Sequence, residues 1–228
     1  MRIFALGDPH LSFAANKPMD IFGSKWIDHP AKIKEEWTQT VTRDDWVLIP
    51  GDISWAMQLE EAKPDLEFLG ALPGKKIMIR GNHDYWWSTI SKVRRLLPPD
   101  MYAIQNDSIR IGDIAICGTR GWDCPGGYNF SEHDRQVYER EVSRLELSLK
   151  NADPQTKERW VMLHYPPTNE KHQESGFIEI MKQYDVSVCI YGHLHGEGHR
   201  NALLNERFGI RFQLVACDYL NFRPLLLR

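Results

Sequence analysis

Three short apolar runs in the first third of the chain share one design. Ile3-Phe4-Ala5-Leu6 ends in Gly7-Asp8, Trp46-Val47-Leu48-Ile49 ends in Gly51-Asp52, and Lys76-Ile77-Met78-Ile79 ends in Gly81-Asn82-His83-Asp84. A continuous apolar run bounded by glycine is the pattern of a strand covered on both faces. Between these runs the period becomes helical. Ile33, Trp37 and Val41 recur at every fourth position, and Leu59, Ala62, Leu66 and Leu69 share a face, with Pro64 predicting a kink or a restart. The second half repeats the logic. Ile114 to Cys117 predicts a strand ending at Gly118, and Ser131 with Asp134 makes a capping box for a helix whose apolar face is Tyr138, Val142, Leu145 and Leu149. Trp160 to Leu163 runs into His164-Tyr165-Pro166-Pro167, and Val186 to Tyr191 into Gly192-His193-Leu194-His195. Near the C-terminus Ile210, Phe212 and Leu214 alternate with Arg211 and Gln213, the mark of a half-exposed strand.

Strands alternating with helices predict an α/β layered architecture. No low-complexity tract, internal repeat or Gly/Ser linker interrupts the pattern, so one domain over residues 1–228 is expected. The least regular stretch, Leu11 to Asp28, directly follows the first polar cluster, where a loop could overhang a site.

Composition narrows the class. An apolar fraction of 42% and a charged fraction of 26% suit a chain that buries a core. With 28 Lys and Arg against 31 Asp and Glu the net charge is −3, which argues against a nucleic-acid partner held by phosphate neutralisation. The apolar runs are too short to span a bilayer, and Gly7-Asp8 leaves no room for a signal peptide. Cys117, Cys124, Cys189 and Cys217 form no CxxC pair, and those in apolar runs read as small buried hydrophobes. A cytoplasmic protein with no membrane partner is expected.

The chemistry is concentrated at five strand ends, which supply Asp8 and His10, then Asp52, then Asn82 and His83, then His164, then His193 and His195. In open α/β sheets ligands bind beyond the carboxyl ends of the strands, so clusters distant in sequence can converge. Imidazole, carboxylate and amide oxygen without thiolate suit Mn, Fe, Zn or Ni. Setting His83 aside, the seven remaining groups exceed one tetrahedral ion and fit two divalent ions sharing a carboxylate. Two ions bring roughly +4 against −2 from two aspartates and −1 from a bridging hydroxide, so the site stays positive and attracts phosphate.

Asp8-x-His10, Gly51-Asp52, Gly81-Asn82-His83-Asp84, His164-x-Pro166 and Gly192-His193-x-His195 together resemble the ordered motif series of the calcineurin-like metallophosphoesterases. The resemblance covers the chain from Asp8 to His195. It implies a four-layer αββα sandwich of two mixed sheets, with a dinuclear metal site at the C-terminal ends of the strands. It also implies roles: Asp8, His10 and His195 on one ion, Asn82, His164 and His193 on the other, and Asp52 bridging both. His83 would be the catalytic histidine that donates to the leaving oxygen. The implied activity is hydrolysis of a small phosphomonoester or phosphodiester, a nucleotide among the candidates, by a hydroxide bridging the ions. A protonated leaving oxygen departs more easily, which suits a histidine as general acid.

The chain departs from that series in two places. Where many members follow the second block with an Asp that orients the catalytic histidine and an Arg that clamps phosphate, this chain has Trp55 and Ala56. That lowers the case for a phosphoprotein phosphatase, and Asp84 reads as a brace of the turn rather than a replacement for the missing Asp. Pro9 stands between Asp8 and His10; its fixed φ still allows two extended neighbours, so the ligand geometry is expected to survive. Trp55, Trp86, Trp87 and Trp122 lie near motif ends, with core packing favoured over a pocket wall. Arg120 reads as a solvated loop residue rather than a substitute clamp, Arg94-Arg95 as a solvated helix face, and His29, His133, His172 and His199 as non-catalytic. Two alternatives stand beside the hydrolase: an interaction scaffold that retains the fold, and a nuclease acting on DNA or RNA.

Overall fold

The computed structural model describes residues 1–15 and 17–228; Asn16, within the irregular Leu11 to Asp28 stretch, lies outside the described residues. The chain divides into two compact units, Met1–Ala103 with Val215–Arg228, and Ile104–Leu214.

The first unit carries a mixed sheet of β1 (Ile3–Ala5), β2 (Trp46–Ile49), β3 (Lys75–Met78), β4 (Met101–Ala103) and β11 (Leu225–Leu226), in the order β11-β1-β2-β3-β4. β1 to β4 run parallel, and β11 closes the β1 edge antiparallel. Its helices are α1 (His29–Thr40), α2 (Lys63–Ala71) and α3 (Ile90–Leu96). Pro64 sits in the first turn of α2, and a separate 3-10 turn over Glu60–Ala62 precedes it, so the proline restarts the helix where its missing N–H costs nothing. Ile33 and Trp37 of α1 and Leu66 and Leu69 of α2 are buried in one apolar cluster with Phe4, Val47, Ile49 and Met78, as the four-residue spacing predicts. Trp86 and Trp87 belong to the same cluster, which bears out their reading as core.

The second unit carries a mixed sheet of β5 (Ile109–Ile111), β6 (Ile114–Thr119), β7 (Glu158–Leu163), β8 (Val186–Tyr191), β9 (Asn205–Arg207) and β10 (Ile210–Leu214), ordered β5-β6-β7-β8-β10-β9. β6, β7, β8 and β10 are parallel, with β5 and β9 as antiparallel edges. Its helices are α4 (Glu132–Lys150) and α5 (Gly176–Gln183). The capping box forms as expected: Asp134 N–H donates to the Ser131 hydroxyl, and the Asp134 side chain accepts from the Ser131 N–H. β10 alternates buried and accessible positions, the period-2 pattern of a half-covered strand.

Candidate active site

In the first unit, three parallel strands deliver their polar residues at one end. The chain after β1 runs beside the chain after β2. Asp8 N–H donates to Gly51 O at 3.1 Å, His10 N–H to Asp52 O at 3.0 Å and Leu11 N–H to Ile53 O at 2.9 Å, and Trp55 N–H returns to Leu11 O at 2.9 Å. This ladder sets His10 beside Asp52, with Nε2 and Oδ2 3.6 Å apart. The loop after β3 closes in because Gly81 has no side chain: a Cβ there would lie 2.1 Å from Asp52 Oδ1. His83 N–H then donates to Asp52 Oδ1 at 2.8 Å. Asp8, His10 and Asp52 are buried, while Asn82 and His83 are half-buried.

The residues flanking Pro9 are not extended. Asp8 has φ 55° and His10 has φ 44°, both left-handed rather than extended. The proline fixes only its own φ, and the cross-chain hydrogen bonds of Asp8 and His10 hold its neighbours in a sharper turn.

Two buried carboxylates that the sequence does not single out as a pair brace these loops. Asp84 accepts from the N–H groups of Ile53 at 2.9 Å, Ser54 at 3.1 Å and Gly81 at 2.7 Å, and from the Trp86 indole at 2.8 Å. It therefore ties the second block to the third, the bracing role expected of it. Burial, then the Asp52 carboxylate, raise its pKa, while those donors oppose the rise. Asp65 of α2 accepts from the Ser54 hydroxyl and from Phe13 N–H, and burial raises its pKa too. His29, expected to be non-catalytic, has a supporting place. Its Nε2 lies 3.0 Å from Pro9 O, so it buttresses the turn that carries Asp8 and His10, and burial lowers its pKa.

Trp55 occupies the space between the two histidines. Its ring stacks on His10 at 5.1 Å with 22° between planes and packs on His83 at 4.4 Å. The buried Nδ1 of His83 has no hydrogen-bond partner among the described residues. A ring contact thus stands where the resemblance leads one to expect a carboxylate.

In the second unit, His164 follows β7 and His193 follows β8. His164 N–H and Tyr165 N–H both donate to Arg120 O, at 2.9 and 3.0 Å, and Gly192 N–H donates to His164 O at 3.1 Å, so three strand ends are tied together. The His193 ring stacks on Tyr165 at 4.1 Å. His193 Nδ1 and His164 Nε2 lie 3.3 Å apart. Two imidazole nitrogens bound to one tetrahedral ion at about 2.0–2.1 Å would be separated by about that much, so this pair fits a shared ion. His195 is half-buried at the start of the 3-10 turn Gly196–Asn201 that carries His199. Arg120 is not a solvated loop residue: its guanidinium lies over Trp122 at 4.5 Å and 3.4 Å from the buried Glu141 carboxylate.

A family model for calcineurin-like phosphoesterases matches residues 1–197. The chain belongs to that family. None of the curated proteins matches this calcineurin-like chain significantly by sequence. Among solved structures it is similar to phosphopantetheinyl hydrolase (PptH) from Mycobacterium tuberculosis, with a TM-score of 0.58 and 13% identity over 100% of this chain and 96% of that one. It is also similar to AQ665, a protein of unknown function from Aquifex aeolicus, with a TM-score of 0.54 and 14% identity over 99% and 95%. A third, TT1561 of Thermus thermophilus, has a TM-score of 0.52 and 11% identity over 91% and 90%. At these identities the likenesses support the calcineurin-like fold and say nothing of substrate. The mixed sheets with their helices agree with that assignment, and no helix among the described residues is long and apolar enough to cross a membrane.

Proposed function

We propose that residues 1–228 act as one metallophosphoesterase domain in the cytoplasm, hydrolysing a small phosphomonoester or phosphodiester with two divalent transition-metal ions. Membership of the calcineurin-like family supports metal-dependent phosphoester hydrolysis. In this reading Asp8, His10 and His195 would hold one ion, Asn82, His164 and His193 the other, and Asp52 would serve both. The donor set favours it: buried carboxylates and imidazoles, with each of the four thiols buried as a free cysteine. When bound, the ions would activate water and neutralise charge on the phosphoryl oxygens.

The chain's own residues do the rest. Asp52 is fixed by His83 N–H and by the close approach of Gly81, so its carboxylate is oriented before any ligand arrives. His83 donates a proton or hydrogen bond to the leaving oxygen, which contributes about 10²–10⁴-fold in general acid catalysis. The observation that carries the reading is the ladder joining the β1 and β2 loops, because it brings His10 within 3.6 Å of Asp52.

The test is metal-stripped protein reconstituted separately with Mn, Zn, Ni and Fe(II) and assayed on paired aryl monoester and diester phosphates. Two ions per chain and metal-dependent turnover are expected, with turnover nearly abolished in Asp52→Asn and His164→Ala. Undiminished activity in folded, metal-depleted Asp52→Asn would overturn it, and failure to bind two ions would favour the scaffold alternative.

A further inference from the structure

The first unit also holds a cavity of about 800 Å³ that none of the metal-ligand candidates lines. It lies between the chain after Trp55, the chain after His83 and one face of α3. Its volume falls within the range of about 300–1,000 Å³ typical of small-molecule sites.

One wall is aromatic. Tyr85 is about half exposed, at 52%, and its N–H donates to His83 O at 2.8 Å, a tight turn that sets its ring edge-on to the His83 ring at 6.2 Å. Trp86 behind it is buried and held through its indole N–H by Asp84. The exposed side chain of Met57 faces the same space and supplies a polarisable surface of the kind that packs against flat rings.

The opposite side is cationic. Lys92 and Arg95, three apart on α3, both line the cavity. The Lys92 ammonium makes no ion pair or hydrogen bond among the described residues, and the Arg95 guanidinium donates only through Nε, to Ser91 O at 3.3 Å. Two positive groups thus face a cavity with Glu60 as its one lining carboxylate, on a chain whose net charge is −3. The combination of flat apolar wall and unspent cations selects a ligand with a ring at one end and an anion at the other.

We propose that this cavity is a subsite for the leaving group of the substrate, and that the leaving group is a nucleoside phosphate, its base against Tyr85 and its phosphate between Lys92 and Arg95. This rests on the phosphoesterase reading in one respect: the leaving oxygen departs toward His83, and Tyr85 is the residue that both lines the cavity and edges His83.

The test has two arms. In the first, the metal-free protein of residues 1–228 is titrated calorimetrically with adenosine 5′-monophosphate and with adenosine. The monophosphate is expected to bind at least 10-fold more tightly, the doubly substituted Lys92→Ala/Arg95→Ala protein to lose that advantage, and Tyr85→Ala to weaken both ligands. No binding, or equal binding to wild type and the double variant, overturns the subsite.

In the second arm, metal-loaded protein is assayed on adenosine 3′,5′-bisphosphate, adenosine 3′-monophosphate and p-nitrophenyl phosphate. The bisphosphate is expected to have the higher kcat/KM of the two nucleotides, and Lys92→Ala/Arg95→Ala to lower it at least 10-fold while leaving p-nitrophenyl phosphate unchanged. A uniform loss on all three substrates overturns the subsite, since a general structural defect would act on the small ester too. Hydrolysis of p-nitrophenyl phosphate without nucleotide binding overturns the subsite and leaves the phosphoesterase reading intact. Nucleotide binding lost in the double variant, without turnover of any ester, does the reverse.

Discussion

Replacing Trp55 with alanine is expected to slow the hydrolysis of esters with poor leaving groups and to spare those with good ones. The indole packs on His83 at 4.4 Å and stacks on His10 at 5.1 Å. Its far side is fixed by an Nε1–H bond to Met19 Sδ at 3.2 Å and by the Lys17 ammonium over the ring at 5.5 Å. Because His83 Nδ1 has no hydrogen-bond partner among the described residues, ring contact is what selects its rotamer. An aromatic pair contributes about 0.5–1.5 kcal/mol beyond its buried area, so removing one reduces the population of the oriented histidine by roughly 2- to 10-fold. That is well short of the about 10²–10⁴-fold that deleting a general acid costs. The assay compares kcat for phenyl phosphate and 2,4-dinitrophenyl phosphate after metal content has been measured, since Trp55 also touches His10. Phenolate needs protonation to leave and dinitrophenolate does not, so only the first rate should fall. Trp55→Phe keeps a ring and should restore most of it, and in a His83→Ala background the loss of Trp55 should add nothing. Equal losses on both esters, or additive losses in the double variant, would refute the reasoning.

Asp84→Asn keeps Oδ1 for Ile53, Ser54 and Trp86 but replaces Oδ2, the acceptor for Gly81 N–H, with an amide NH2 that can only donate, and should lower stability by about 1–3 kcal/mol, read as the urea midpoint; an unchanged midpoint would deny it the bracing role. Gly81→Ala would put a Cβ 2.2 Å from Asp52 N, so Asp52 must shift; metal affinity by competition with a chelating dye should fall at least 10-fold. The Lys76 ammonium is buried in β3 and donates to Leu72 O; burial lowers its pKa to about 8, against the attraction of Asp100. Between about pH 8 and the ordinary value of 10.5 the folded chain has released a proton that the unfolded chain retains, so stability should rise with pH there. In Lys76→Met that rise should vanish from the melting temperature, and the variant's advantage at pH 7 should close by about pH 10; parallel pH profiles would refute the assignment.

Much of the fold was legible because its strands are buried on both faces and its helices on one. β2, β8 and β10 have the bounds their apolar runs predict, and the capping box marks the start of α4 to the residue. The short elements were not legible. β4, β9 and β11 have two or three residues each, too few to establish a period, and α5 opens on Ser175-Gly176, which reads as a turn until its cap hydrogen bond is seen. The candidate site residues were legible as types, since Asp, Asn and His after successive strands stand out from any core pattern. Their supports were not. His29 and Asp65 lie on helices remote in sequence, and nothing in their surroundings there distinguishes a buttress from a surface residue. The role of Trp55 was hidden for the opposite reason, since a tryptophan beside a motif reads first as core.

The same limit applies to the backbone, and there it bears on how the site is built. Asp8, His10, Asp52 and His193 have φ of 55°, 44°, 49° and 70°, so four of the seven proposed ligands sit in the left-handed region. That region costs a non-glycine residue on the order of 1 kcal/mol or more, but Asp and His are among the types that enter it most readily. Glycine would reach it freely and could ligate nothing. The sequence therefore shows carboxylates and imidazoles where chemistry needs them, and conceals that the same residues are also making the turns. Their strain is held by identifiable contacts: Asp8 and His10 by the ladder to Gly51 and Asp52, and His193 by its stack on Tyr165. A turn made by the ligand itself aims the donor atoms just beyond the strand, and the glycine before Asp8, Asp52 and His193 lets the chain reach that turn while the contacts above hold it. That is the property a site must have if its donors are to be set before the ion arrives.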